Sequence, residues 1–367
     1  MAVLLLVWAA PAVAQGTIRV GLGEGLRTLE VGGGPVAVQD LAGRPLLRET
    51  PTWLRVAPVN GSVEVRGAAV RGTRAKGVRL VPVDGRSLRV AGRHYPGVVE
   101  ILRGGDGLVV VNELPLEEYV VGAVKAEAGE KMPLEMLKAQ AVVARTYAAY
   151  HRRLNAGKPY HLVASTAHQQ YAGAVAPGSP VWTAVLETAG QVLLWEGDLF
   201  PAFYHTDSGG HTEDPRAVFA AGNMPALRPV RVEFASDSPH HEWTLEVPLG
   251  DLGARLRQGG VAVGSIQRLE VLERSASLRV ARIAVHGTRG SVVLRGNDFR
   301  RMVGYDALRS TLFAVAVDGK SARFAGRGYG HGVGMDQSTA KTMAELGYPA
   351  PQILEYYYAG ATLAALP

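Results

Sequence analysis

A single change of hydrophobic period near Asn112 constrains this chain more than any other feature. From residue 16 to about 112, apolar residues alternate in short runs: Ile18-Arg19-Val20, Val63-Glu64-Val65, Leu88-Arg89-Val90, Val98-Val99-Glu100-Ile101. Gly-rich turns separate them, among them Gly32-Gly33-Gly34 and Gly104-Gly105-Asp106-Gly107. A period of two with glycine punctuation predicts half-buried strands, so residues 16–110 read as a small N-terminal antiparallel β region. No convergent polar cluster is visible there, which suits a scaffold or binding module. Beyond Asn112 the period lengthens. Leu114-Pro115-Leu116-Glu117-Glu118 predicts a helix start, with Pro in the first turn and acids complementing the N-terminal dipole. Helical spacing runs on through Tyr119, Val120, Ala123 and Val124 to Glu127, and Gly129 breaks it.

Pro133 then opens a longer predicted helix to about Asn155, with Leu134, Leu137, Ala141, Ala144 and Ala148 on one stripe and Gly157 as the stop. A helix is expected over 181–189 and a strand over 191–195. Mixed elements are expected over 228–317, and helices over about 336–346 and 350–358. Strands and helices arrive in blocks rather than strict alternation, so the expected class is α+β, a β region followed by a larger mixed α+β portion over 111–367.

Composition narrows the partners. With 367 residues, 47 % hydrophobic and 20 % charged, the chain is long enough for one large or two ordinary domains, which excludes disordered, collagen-like and multi-span membrane classes. The net charge is +6, only seven of the 39 cations are lysine, and they are spread along the chain. Nucleic-acid binding would call for a clustered basic stripe, so no nucleic-acid partner is expected. A mildly basic surface suits an anionic polymer. There is no cysteine, hence no disulfide, thiolate nucleophile or zinc ribbon. The apolar block over 2–10, followed by Ala12-Val13-Ala14 before Gln15, predicts a signal peptide over 1–15 and export, although the usual basic n-region is missing. No later stretch reaches 18 uninterrupted apolar residues, so no integral membrane span is expected in the mature chain.

Several groups could carry chemistry. Glu127 extends the apolar face of its helix and sits in the last turn, where the dipole and desolvation both favour the protonated acid. A salt bridge to Lys125, Lys131 or Arg145 is the competing reading. Glu117 and Glu118 read as surface acids, with Glu130 and Glu135 as substitutes flanking the turn. Arg145 lies beside the Ala144 stripe, so it points partly inward. Further on come Gln169-Gln170-Tyr171 with His161 and His168 before it, and Tyr204-His205-Thr206-Asp207-Ser208-Gly209-Gly210-His211. Two His six apart lack the Glu of a zincin, and no metal or other cofactor is expected. The run Gly326-Arg327-Gly328-Tyr329-Gly330-His331-Gly332-Val333-Gly334 permits positive φ and close approach of a ligand to the backbone, but it lacks dinucleotide spacing. Residue chemistry alone stops at an exported α+β protein with a polar cleft and one acid.

The ordered motifs go further. Asn112-Glu113-Leu114-Pro115-Leu116-Glu117-Glu118-Tyr119, Glu127, and Leu137-Lys138-Ala139-Gln140-Ala141-Val142-Val143-Ala144-Arg145-Thr146-Tyr147 resemble the sporulation stage II protein D family, which includes LytB-type amidase enhancers. Gln169-x-Tyr171-x-Gly173, Ser208-Gly209-Gly210-His211-Thr212, Ser238-Pro239-x-x-x-Trp243 and Gly328-x-Gly330-His331-Gly332-Val333-Gly334-Met335-x-Gln337 continue it in order, from about residue 85 to the C-terminus.

This resemblance implies an extracytoplasmic lytic transglycosylase of peptidoglycan glycan strands, with residues 111–367 as its catalytic domain and Glu127 as its acid. Arg145, Gln169, Tyr171, Tyr204, His205, Ser208, His211, Tyr329, His331 and Gln337 fall on cleft or glycan-contact motifs. No second carboxylate is required, since the substrate's own C6 hydroxyl is the nucleophile, so Asp207 and Asp214 need no catalytic role. Some relatives hold a metal with Cys near Gln-x-Tyr; Val163, Ala164 and His168 stand there in this chain. Ser338-Thr339-Ala340 replaces the usual Trp-Gly-Ala, and Ala128-Gly129-Glu130-Lys131-Met132-Pro133 a shorter Met-Pro turn. The alternative the family offers is a non-catalytic wall protein that enhances an amidase.

Overall fold

The computed structural model describes residues 16–50, 53–68, 70–85, 87–219 and 222–367; the expected signal segment lies outside the described residues. Two compact units emerge. One comprises the described residues up to Gly129 together with Ala148–Val192 and Ala364–Pro367; the other comprises Glu130–Tyr147 and Leu193–Leu363.

The first unit is built on two sheets. In the seven-stranded sheet, Thr17–Leu26 lies between Leu108–Pro115, with which it is antiparallel (Ile18 opposite Leu114), and Leu162–Val163, with which it is parallel (Val20 opposite Leu162). Val98–Arg103, Gly77–Pro82, Val36–Asp40 and Pro45–Thr50 complete it in that order, all antiparallel. Alternate residues go inside, as the period of two requires: Ile18 with Val20, Val36 with Val38, Val78 with Leu80, Val99 with Ile101. The second sheet has six antiparallel strands in the order Arg93–Tyr95, Leu88–Val90, Leu29–Gly32, Leu54–Val59, Ser62–Gly67, Val70–Ala75.

The β region does hold a polar cluster, contrary to expectation. Register sets Arg19 opposite Glu113 and Arg79 opposite Glu100. Each cation thereby meets both carboxylates: Arg19–Glu113 at 2.6 Å, Arg79–Glu113 at 3.1 Å, Arg79–Glu100 at 3.2 Å, and Arg19 also on Glu100. These partners lie 21 to 94 residues apart in sequence, and only the pairing of strands brings them together.

Strand Leu108–Pro115 also runs further than expected. Leu114 pairs with Ile18, and Pro115, extended at φ −55° and ψ 142°, forms the N-cap position of helix α1, Leu116–Glu127. Proline belongs at this boundary because it has no N–H to lose. Helix α2 spans Leu134–Leu154 and α3 spans Pro180–Glu187, the latter capped by Ser179, whose hydroxyl accepts the Val181 N–H at 3.3 Å.

The second unit has its core among two three-stranded antiparallel sheets. One is ordered Glu242–Pro248, Ser321–Arg327, Phe313–Val317, the other Ile266–Arg274, Val280–Gly287, Gly290–Arg295. Trp243, Leu252, Leu256, Ile283, Val285, Phe299, Phe313 and Phe324 fill that core. Helices α4 (Pro215–Val218), α5 (Leu249–Gln258), α6 (Gly296–Val303), α7 (Gln337–Glu345) and α8 (Ala350–Tyr357) belong to this unit, as does a short parallel pair, Tyr204–His205 with Met335–Asp336. The class is α+β, an antiparallel-rich N-terminal sheet region followed by helices and mixed sheets. Among the described residues no helix is long and apolar enough to cross a membrane.

Candidate functional site

Glu127 is the last residue of α1. The inward face of that helix ends at Val124, and Glu127 is partly exposed rather than buried as its spacing suggested. The Ala128 N–H closes the helix on Val124 O at 2.9 Å, and Gly129 turns the chain away at φ +78°. The Glu127 carboxylate accepts the Gln170 backbone N–H at 2.5 Å.

That amide belongs to an extended segment bound along α1. Tyr119 donates its O–H to Gln169 Oε1 at 2.9 Å, and the Ala172 N–H bonds Gly122 O at 3.1 Å. Tyr171 lies over Gly122: a Cβ there would stand 2.4 Å from its ring and 2.7 Å from Gly173 O. The Tyr171 O–H reaches Asn112 Oδ1 at 3.0 Å, and Asn112 in turn donates to Pro96 O at 2.7 Å and Val98 O at 3.2 Å. Gln169 and Tyr171 are thus interior side chains, 0 % and 2 % exposed, and burial pushes the Tyr171 phenol well up. The Gln170 side chain between them is exposed. Glu117 accepts the Gly190 N–H at 3.2 Å, while Glu118 is half-buried and desolvation raises its carboxyl above the usual range.

The remaining motif residues belong to the second unit. Arg145 is fully buried, more so than a partly inward position would allow, with Nη1 directed to Ala141 O at 3.4 Å. His205, Ser208 and Gln337 are buried; Tyr204, His211, Tyr329 and His331 are partly exposed. The His205 Nδ1 sits 3.1 Å from Val333 O, and burial with Arg279 nearby lowers this imidazole to about 3. His331, 5.6 Å away ring to ring, accepts the Val333 N–H at 3.0 Å, and burial and His205 hold it well below the ordinary histidine value. Both are neutral at pH 7. Tyr329 donates to Asp306 at 2.9 Å, the His211 Nδ1 contacts Thr212 O at 2.7 Å, and Gln337 donates to Gln140 at 3.2 Å.

Three residues that sequence reasoning left without a role organise this region. Asp336 caps α7, accepting the Ser338 and Thr339 N–H groups at 3.0 and 3.1 Å, and its other oxygen takes the Ser208 N–H at 2.8 Å. Burial and neighbouring Asp207 push its pKa up to about 6. An Asp just before a helical run was the available signal. Asp207 accepts from Gly209 N–H and the Ser236 hydroxyl, both at 2.7 Å. Arg279, 1 % exposed, donates to Ser208 O at 2.6 Å, and nothing in its local sequence marks it.

The glycine run behaves as expected in one respect, since Gly328, Gly330, Gly332 and Gly334 all have positive φ. The backbone approaches the protein itself, however. A Cβ on Gly332 would stand 2.7 Å from the Arg279 guanidinium, and one on Gly334 would stand 1.9 Å from Phe203 O. Among the described residues, no three of His, Asp and Glu are grouped to hold a metal ion.

Comparison with known proteins agrees with the motif order. A family model described as stage II sporulation protein matches residues 104–195, and a domain of unknown function matches 233–334. An uncharacterized protein of Brachyspira hyodysenteriae is 29 % identical over 293 residues, 80 % of this chain and 77 % of that protein. Stage II sporulation protein D of Bacillus amyloliquefaciens is 30 % identical over 268 residues, covering 69 % and 75 %. The amidase enhancer of Bacillus subtilis is 28 % identical over 291 residues, covering 66 % of this chain and 40 % of that longer protein. With these similarities added to the motifs, the chain belongs to the stage II sporulation protein D and amidase-enhancer family.

Proposed function

We propose that this protein is an exported lytic transglycosylase that cleaves the β-1,4 bond between N-acetylmuramic acid and N-acetylglucosamine in peptidoglycan. Its signal segment is residues 1–15, residues 16–110 form an accessory β-rich region, and 111–367 carry catalysis. Protonated Glu127 gives its proton to the bridging oxygen as the bond to C1 breaks. The resulting carboxylate takes the proton of the C6 hydroxyl of the same muramic residue, whose oxygen attacks C1 and closes a 1,6-anhydro ring. No water is consumed and Glu127 ends protonated, so one carboxylate serves as acid and then base. The observation that carries this reading is the state of Glu127: it is oriented by a backbone amide, yet partly exposed, so a glycan oxygen can reach it.

A second reading is favoured by the similarity to the amidase enhancer: a wall-bound protein that assists an amidase without cutting glycan. Digestion of peptide-free glycan strands by the purified protein, read by mass spectrometry, separates the two. Anhydro ends are expected from wild type and are expected to vanish in Glu127→Gln. No product from wild type on any glycan would favour the enhancer, and product retained in Glu127→Gln would move the acid to Glu130.

A further inference from the structure

We propose that residues 169–173 act as a strap that positions the acid, and that Gln169 and Tyr171 serve the reaction through Glu127 rather than by touching glycan. The activity arm of this proposal rests on the transglycosylase reading. Glutamate has three side-chain torsions, and Glu127 is the last residue of α1. A group that must first donate and then accept a proton loses about 10²-fold in rate for a 1 Å misplacement.

Three bonds fasten the strap to α1 along its length. Tyr119 donates its O–H to Gln169 Oε1 at 2.9 Å, Gly122 O takes the Ala172 N–H at 3.1 Å, and Glu127 itself takes the Gln170 N–H at 2.5 Å. Gln169 bridges to Ala164 in extended conformation, and alternate residues of an extended chain point the same way. Gln169 and Tyr171 therefore enter the interior together and leave Gln170 outside. The second anchor is tied down in turn: Tyr171 bonds Asn112 at 3.0 Å, Asn112 bonds two carbonyls, and the absence of a Cβ at Gly122 lets the ring press on the helix. The Gln-x-Tyr spacing is what such a clamp needs, since two buried side chains fix the amide of the residue between them.

The decisive variant is Gln170→Pro, which deletes the N–H; the extended backbone at Gln169 is the one proline asks of its predecessor. Its kcat on peptide-free glycan is expected to fall at least about 30-fold with KM within about twofold, because the lost bond orients the acid rather than binding substrate. Gln170→Ala, which restores the N–H, is expected to recover at least about tenfold of that loss. Should the proline variant not fold, Tyr171→Phe keeps the ring packing and removes only the bond to Asn112, with an expected kcat loss of about three- to tenfold. A proline variant with unchanged kcat overturns the strap, and so does a rise in KM alone, which would return the segment to the glycan contacts. An arm independent of activity is the Gln170 amide proton in NMR, expected downfield in wild type and displaced upfield in Glu127→Gln. An amide indifferent to that change overturns the proposal. A responsive amide in a wild type that releases no anhydro product leaves the strap standing and sinks the transglycosylase reading instead.

Discussion

At the scale of single residues, the organising group of the second unit is Arg279. Burial lowers its pKa to about 10, so it remains a cation at pH 7, and Glu213, Asp336 and Asp207 offset part of that cost. Its Nη2 holds Ser208 O, while Nε and Nη1 find no hydrogen-bond acceptor among the described residues. Removing one partner of such a buried set strands the opposite charges, so Arg279→Met is expected to cost roughly 3–5 kcal/mol in urea unfolding. A loss below about 1 kcal/mol would mean that the three acids are not compensated by this guanidinium. Arg279→Lys is expected to be nearly as harmful, since an ammonium cannot reproduce the fork geometry. None of this was legible locally: Arg279 stands in Ser277-Leu278-Arg279-Val280, where nothing distinguishes it from the exposed arginines elsewhere in the chain. Glu127 was legible as the acid to consider, but its exposure was not, because the burial of a terminal helical residue depends on what packs past the helix end.

At the scale of elements, local signals did well where the chain obeys them. The predicted long helix from Pro133 to about Asn155 is α2, Leu134–Leu154, and the strand expected over 191–195 is Gln191–Trp195. The helix expected to start within Leu114-Pro115-Leu116-Glu117-Glu118 begins at Leu116 with Pro115 as its cap, and antiparallel pairing carries the preceding strand right up to that cap. Gly122 gives a test with an informative sign. In an ordinary helix interior, Gly→Ala stabilises by about 0.8–1.0 kcal/mol. Here the new methyl would meet the Tyr171 ring at 2.4 Å, so Gly122→Ala is expected to destabilise by about 1–3 kcal/mol in a thermal or urea melt. A stabilised variant would contradict the packing of residues 169–173 on α1. Gly334→Ala is expected to lose stability by a similar amount, roughly 1–3 kcal/mol, because φ is +73° and the Cβ would strike Phe203 O.

For the whole molecule, three histidines held below their ordinary value shape how stability depends on pH. His205 is lowered to about 3 and His331 well below its ordinary value by burial in the second unit; in the first, burial and His168 lower His151 to about 4. Unfolded histidine titrates near 6.5, so between that value and the folded ones the unfolded chain binds the extra protons. The stability these groups contribute is full above about pH 6.5 and drains away as pH falls, by at most about 1.4 kcal/mol per pH unit for buried His205 and by less for the partly exposed His331 and His151. Asp336, raised to about 6, works in the opposite sense: its burial is costly above that pH and relieved as pH falls toward its unfolded value of 3.8. Three histidines outweigh one aspartate, so the urea midpoint is expected to be lower at pH 5 than at pH 7, with a shallower fall in His205→Asn. A midpoint that rises on acidification would show these imidazoles to be charged in the folded state.

What the sequence by itself determined is the order of elements, the α+β class and the family, because periodicity, turn chemistry and motif order are local and survive in one dimension. Only the tertiary structure decided which motif residues face outward. Gln169 and Tyr171 look like ligand contacts in a linear motif but are interior, since pairing and packing between residues tens of positions apart determine which side of an extended segment is buried.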